Sequence, residues 1–199
     1  RSAPTYNDVF QVNFDENGLQ TERNGIVGEL TLHGRRGSDG YFIGLAGSGG
    51  AVINVFDESG GDLRGIDQLR VLGTVADEYF LIRANLDRTI GMIATIQVDE
   101  NGDPIPGGDI ERVNYDGDIN GGVVVQGRDG DDTFVLDDNL ASMIINGDAG
   151  DDVFQIGQVF QSPRDGTNPN NGLSSEDYFE TTPITKGYLS NGISHSTTI

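Results

Sequence analysis

The chain has 199 residues, room for one large domain or two small ones. Its 32 acidic residues against 12 basic ones give a net charge of −20, which argues against nucleic acid and membrane partners. The absence of cysteine excludes disulfides and thiolate zinc sites, while 30 glycines with 35% hydrophobic residues exclude a helical bundle and a disordered chain.

No apolar run reaches the length of about 18 residues that a membrane helix needs. Residues 1–10 lack the apolar centre of a signal peptide and there is no initiator Met, so the expectation is a processed piece or an excised segment. In chain order, five segments then repeat one pattern around an aromatic: Phe10, Tyr41, Phe80, Phe134 and Phe154. Two residues before each aromatic stands an acid (Asp8, Asp39, Glu78, Asp132, Asp152), and two after it a branched aliphatic (Val12, Ile43, Ile82, Leu136, Ile156). The last four aromatics are preceded at seven residues by Gly34, Gly73, Gly127 and Gly147, and at four by Gly37, Ala76, Gly130 and Gly150. Upstream of those glycines, apolar pairs alternate: Leu30 and Leu32, Leu69 and Val71, Val123 and Val125, Met143 and Ile145.

Period-two alternation on both sides of a glycine-acid turn predicts strand, turn, strand, with one strand face buried. The aromatics are separated by 31, 39, 54 and 20 residues, so the smallest unit matches one coil of a parallel β-solenoid, the fold expected over 1–199 as a single all-β segment. The five rings are expected in one interior column. Two excursions interrupt the repeat: 93–115 reads as a projecting hairpin, and 161–192, rich in Pro, Asn, Ser and Gly, as a long surface loop. Thr197 and Ile199 fall in the phase of Met143 and Ile145.

Glycine turns can aim carbonyls at one point, and Asp adds a hard anionic oxygen; calcium takes six to eight such oxygens at about 2.3–2.6 Å. Asp132 and Asp152 lie 20 residues apart, in register on adjacent coils. That register also crowds Asp129, Asp131, Asp132, Asp148, Asp151 and Asp152, whose charges repel without a cation. Two copies, Gly127-Arg-Asp-Gly130-Asp-Asp132-Thr-Phe134-Val and Gly147-Asp-Ala-Gly150-Asp-Asp152-Val-Phe154-Gln, resemble the nonapeptide G-G-x-G-x-D-x-U-x of the RTX, or haemolysin-type, repeats. Arg128 and Asp148 stand where that pattern has its second glycine. The resemblance implies Ca²⁺ at Gly127, Asp129, Gly130 and Asp132 of one turn and Gly147, Ala149, Gly150 and Asp152 of the next, and secretion to a calcium-rich exterior. It is partial at Gly34 and weak at Gly73, where metal-free tight turns are the better reading.

Other spacings carry less. Asp116-Gly-Asp118-Ile-Asn120-Gly121 opens like an EF-hand loop but has Gly127 at position 12, and Asp99, Asn101 and Asp103 precede Pro104 and read as a hairpin tip. His33 and His195 form no catalytic or metal pair, and Lys186, the only lysine, falls in the loop, so no enzyme is expected. The expected function is that of a calcium-stabilised structural segment of an extracellular repetitive adhesin, matrix or filament protein. The alternative is a calcium-dependent folding and secretion module of a larger toxin or hydrolase. The expected partner is another copy, by head-to-tail association or by continuation within a tandem-repeat chain.

Overall fold

The computed structural model describes residues 6–23, 25–57, 65–167 and 175–199; residues 1–5 and 168–174 of the segments discussed above lie outside these. The period-two segments form strands that alternate between two facing sheets. One sheet holds, in spatial order, β1 (Val9–Val12), β3 (Gly40–Gly44), β5 (Gln68–Leu72), β9 (Val123–Asp129), β11 (Met143–Ala149) and β16 (Thr197–Thr198). Every neighbouring pair in it is parallel. The other runs β12 (Val153–Ile156), β10 (Thr133–Leu136), β6 (Tyr79–Ala84), β7 (Ile90–Ile96), β8 (Ile110–Asp116), β4 (Ala51–Val55) and β2 (Glu29–Leu32). Inward residues from both sheets, among them Tyr41, Ile43, Val71, Val125 and Ile145 against Ile53, Phe80, Ile82, Val113 and Phe134, make one core. Each fully buried aliphatic contributes about 2 kcal/mol.

The chain is all-β, but the seven-stranded sheet is mixed, which corrects the expectation of an uninterrupted parallel stack: β7 runs antiparallel to both β6 and β8. The cause is local. Between β6 and β7 only a tight reversal fits, and a parallel return needs about a dozen residues. Asn85 Oδ1 closes the reversal by accepting from the amides of Thr89 and Ile90, both at 2.8–2.9 Å. The hairpin read at 93–115 therefore does not project as a whole. Its strands are seated inside the sheet between β6 and β4, and only the tip at 97–109 extends beyond them.

The aromatics form two stacks rather than one column. Phe10 stacks on Tyr41 at 5.0 Å in the parallel sheet, whereas Phe80, Phe134 and Phe154 stack at 4.7 and 5.0 Å in the mixed one. The Gly34 turn crosses from the mixed sheet to the parallel sheet; the Gly73, Gly127 and Gly147 turns cross the other way. The same local motif thus serves opposite ends of the strands.

The segment 161–192 is not loop throughout. A short 3-10 turn, Ser175–Asp177, precedes β14 (Thr181–Ile184) and β15 (Gly187–Ser190), which form an antiparallel sheet with β13 (Val159–Phe160). Phe179 is buried there, edge-on to Phe160 and under the guanidinium groups of Arg83 and Arg164. The chain then rejoins the parallel sheet, with Thr197 paired to Met143 as the phase requires.

Candidate functional site

The glycine and the acid five residues later are one structural unit. The acid side chain folds back over its own glycine, so a Cβ at Gly127 or Gly147 would collide with Oδ2 of Asp132 or Asp152, and one at Gly34 with Asp39. Gly37, Gly130 and Gly150 have φ of 140°, 111° and 144°, and a Cβ at Gly150 would strike the Gly130 carbonyl, because successive turns stack backbone on backbone. Arg35, Arg128 and Asp148, one residue after their glycines, also have positive φ of 72°, 86° and 70°. That is the conformation a second glycine would take without strain.

Hydrogen bonds join the rungs at both ends of the strands. At the end that carries the Gly127 and Gly147 turns, Asp132 donates its amide to Asp152 Oδ1 at 3.0 Å and Glu78 donates to Asp132 Oδ1 at 2.8 Å. A parallel ladder runs from the Asp151 amide to Asp131 Oδ1 and from the Asp131 amide to Asp77 Oδ1, each at 2.9 Å. At the opposite end the amides of Asp8, Asp39 and Asp67 donate to Asp39 Oδ1, Asp67 Oδ1 and Asn120 Oδ1 at 2.6, 2.8 and 3.2 Å.

Of the residues singled out as ligands, Asp129 and Ala149 pair directly across β9 and β11, and Asp132 and Asp152 occupy successive rungs. Among the six crowded carboxylates, Asp131, Asp132 and Asp152 each have one oxygen taken by a neighbouring amide, while the Asp152 and Asp131 charges still bear on Asp132. Asp132 is fully buried, its Oδ2 has no donor, and Oδ2 and the Gly147 carbonyl both lie against Gly127. Burial, opposed by the Glu78 amide and reinforced by the Asp152 charge, pushes Asp132 up to about 6. Burial likewise lifts Glu78 to about 7, although its carboxylate accepts from the Thr74 hydroxyl and amide.

Among the described residues, the one place where three potential ligand carboxylates converge is the other end. Oxygens of Asp39, Asp57 and Asp67 all lie within 4.8 Å of one another, and the three residues are 2%, 0% and 0% exposed. Among the described residues, Asp39 Oδ2, Asp67 Oδ2 and both oxygens of Asp57 have no partner of ordinary hydrogen-bond geometry, although the Arg35 amide lies close enough to Asp57 to oppose the rise in its pKa. Burial first, then the facing Asp67 carboxyl, raises the Asp57 pKa; burial also raises that of Asp39. The Tyr41 hydroxyl, which accepts from the Gly34 amide at 2.8 Å, is pushed up by burial and by the Asp57 charge.

Sequence reasoning reached Asp39 but missed its companions. Asp67 is the equivalent rung acid, since Tyr41 pairs with Leu69, yet Leu69 broke a search keyed on aromatics. An acid two residues before any inward strand residue would have been the better key. Asp57 follows β4 and belongs to no repeat position. Of the remaining candidates, Asp99 accepts from the amides of Asn101 and Asp103, and Asp116 from that of Asp118. His33 packs 6.4 Å from Phe56, while the His195 amide donates to Asn139. Among the described residues no helix is long and apolar enough to cross a membrane. Comparison with protein-family models, with curated proteins and with solved structures finds no match to this chain.

Proposed function

We propose that the chain is a calcium-stabilised structural segment of an extracellular repetitive adhesin, matrix or filament protein. In this reading it is a β-solenoid with its mixed wall interrupted by the β7–β8 hairpin. The observation that carries it is the turn stack at Gly127 and Gly147, where amides tie each rung to the next while the buried Asp132 Oδ2 keeps no donor. A hard cation beside that oxygen and the neighbouring turn carbonyls is the chemistry that would satisfy it. Asp132 and Asp152 supply the carboxylates, and Gly127, Asp129, Gly130, Gly147, Ala149 and Gly150 the backbone oxygens. Head-to-tail continuation is supported by the sheet ends: β1 and β2 at one end, β16 and β12 at the other, are edge strands with exposed Val9, Val153 and Ile156.

Thermal unfolding in calcium and in EDTA tests the reading with Asp132→Asn, which keeps the Oδ1 acceptor for Glu78. At 100 times Kd each site adds about 2.7 kcal/mol, roughly 5–10 °C for a chain of this size. The variant should lose that increment in calcium and change little in EDTA. Identical melting of the wild type in calcium and EDTA, or an equal shift of the variant in both, overturns it.

A further inference from the structure

We infer that Asp39, Asp57 and Asp67 form a second cation centre, at the opposite end of the strands from the Gly127 and Gly147 turns, which binds one hard divalent ion through side-chain carboxylates. One oxygen of each lies within 4.8 Å of the other two, and among the described residues four of the buried oxygens, Oδ2 of Asp39, Oδ2 of Asp67 and both of Asp57, have no partner of ordinary hydrogen-bond geometry. Buried carboxylate oxygens are satisfied by hydrogen bonds, by cationic side chains or by metal ions. Hydrogen bonding already occupies one oxygen of each rung acid, since Asp39 Oδ1 accepts from the Asp8 amide and Asp67 Oδ1 from the Asp39 amide, and these bonds hold two of the three carboxylates that converge with Asp57.

Asp57 is the decisive residue, because the rung ladder explains Asp39 and Asp67 but makes no use of it. It is fully buried, among the described residues neither of its carboxylate oxygens has a partner of ordinary hydrogen-bond geometry, with only the Arg35 amide close enough to oppose the rise in its pKa, and it comes from a different strand end than the other two. All four oxygens are hard, and no imidazole or thiolate belongs to the group, which selects calcium or magnesium over softer metals. Ligand oxygens within 4.8 Å of one another can share one ion whose bonds are about 2.3–2.6 Å long. The centre differs in kind from the proposed turn sites, which rely on backbone carbonyls, and does not depend on them.

The test is calorimetric titration of the chelator-stripped full chain with Ca²⁺ and with Mg²⁺, alongside melting in EDTA and in saturating metal. Asp57→Asn should remove one bound ion from the stoichiometry. It should melt at the same or a higher temperature than wild type in EDTA, and its gain on adding metal should fall short of the wild-type gain by at least about 3 °C. Asp67→Asn, which retains the acceptor for the Asp39 amide, should lose the same ion, and circular dichroism establishes that each variant is folded. An unchanged stoichiometry in both variants overturns the proposal, as does a rise in melting temperature that is equal with and without metal, the signature of a cluster that shares protons. Asp132→Asn separates the two readings: an ion lost there but not at Asp57 leaves only the turn site, and the converse leaves only this centre.

Discussion

The two ends of the strands are built from the same rung, yet only one gathers carboxylates. At the end holding Asp132 and Asp152, each acid reaches one rung along the stack, and among the described residues no three carboxylates there come within shared ligand distance. At the end holding Asp39 and Asp67 the ladder is the same, but Asp57 enters from the end of β4 and turns a line of paired oxygens into a cluster. The lesson is that a repeat motif supplies pre-aimed oxygens, while a residue outside the repeat decides whether they converge.

The largest expected effect tests whether the rungs are equivalent. Gly34→Ala and Gly127→Ala both drive a Cβ into the acid that folds back over it, and each should destabilise by roughly 3 kcal/mol or more, seen as melting temperatures lowered by roughly 6–12 °C. Tolerance at one end only would show that its acid is not pinned. Next is Tyr41→Phe, special to the Asp39 end, which strips the Gly34 amide of its acceptor; urea denaturation should show a loss of about 1–3 kcal/mol.

A pH series in EDTA sharpens the other side. Glu78 and Asp132 are raised in the fold to about 7 and about 6 from 4.5 and 3.8, so the folded state holds their protons more tightly than the unfolded chain does. Their contribution is complete below about pH 4 and is lost as the pH rises through about 7. Glu78→Gln should flatten the upper part of that decline, and saturating calcium should oppose it, because the cation takes the deprotonated form. The smallest effect compares equivalent backbone positions: Arg35→Gly and Asp148→Gly relieve positive φ at opposite ends and should each stabilise by no more than about 1 kcal/mol in chemical denaturation.

What the sequence made legible was local and periodic. The inward pairs Leu69 and Val71 or Met143 and Ile145, the glycine that makes room for its acid, and the register of Phe134 on Phe154 all follow from short-range rules. What escaped depends on long-range placement. Nothing local tells the Gly34 turn from the Gly127 turn, so the two ring stacks merged into one. The reversal after β6 is closed by the Asn85 side chain, without the glycine that marks tight hairpins. Asn139, whose side chain binds the carbonyl and amide of His195 more than fifty residues away, carried no signal, although it ties the last strand to the body.

The seated hairpin has a geometric consequence for anything assembled from such units. β3 and β5 are direct neighbours in the parallel sheet, whereas β4 and β6 are separated by both strands of the hairpin. At about 4.8 Å per strand, the mixed wall gains about 10 Å over the parallel wall at that level. The hairpin is a keystone: the place of β7 and β8 in the chain sets where the two walls fall out of step by two strands.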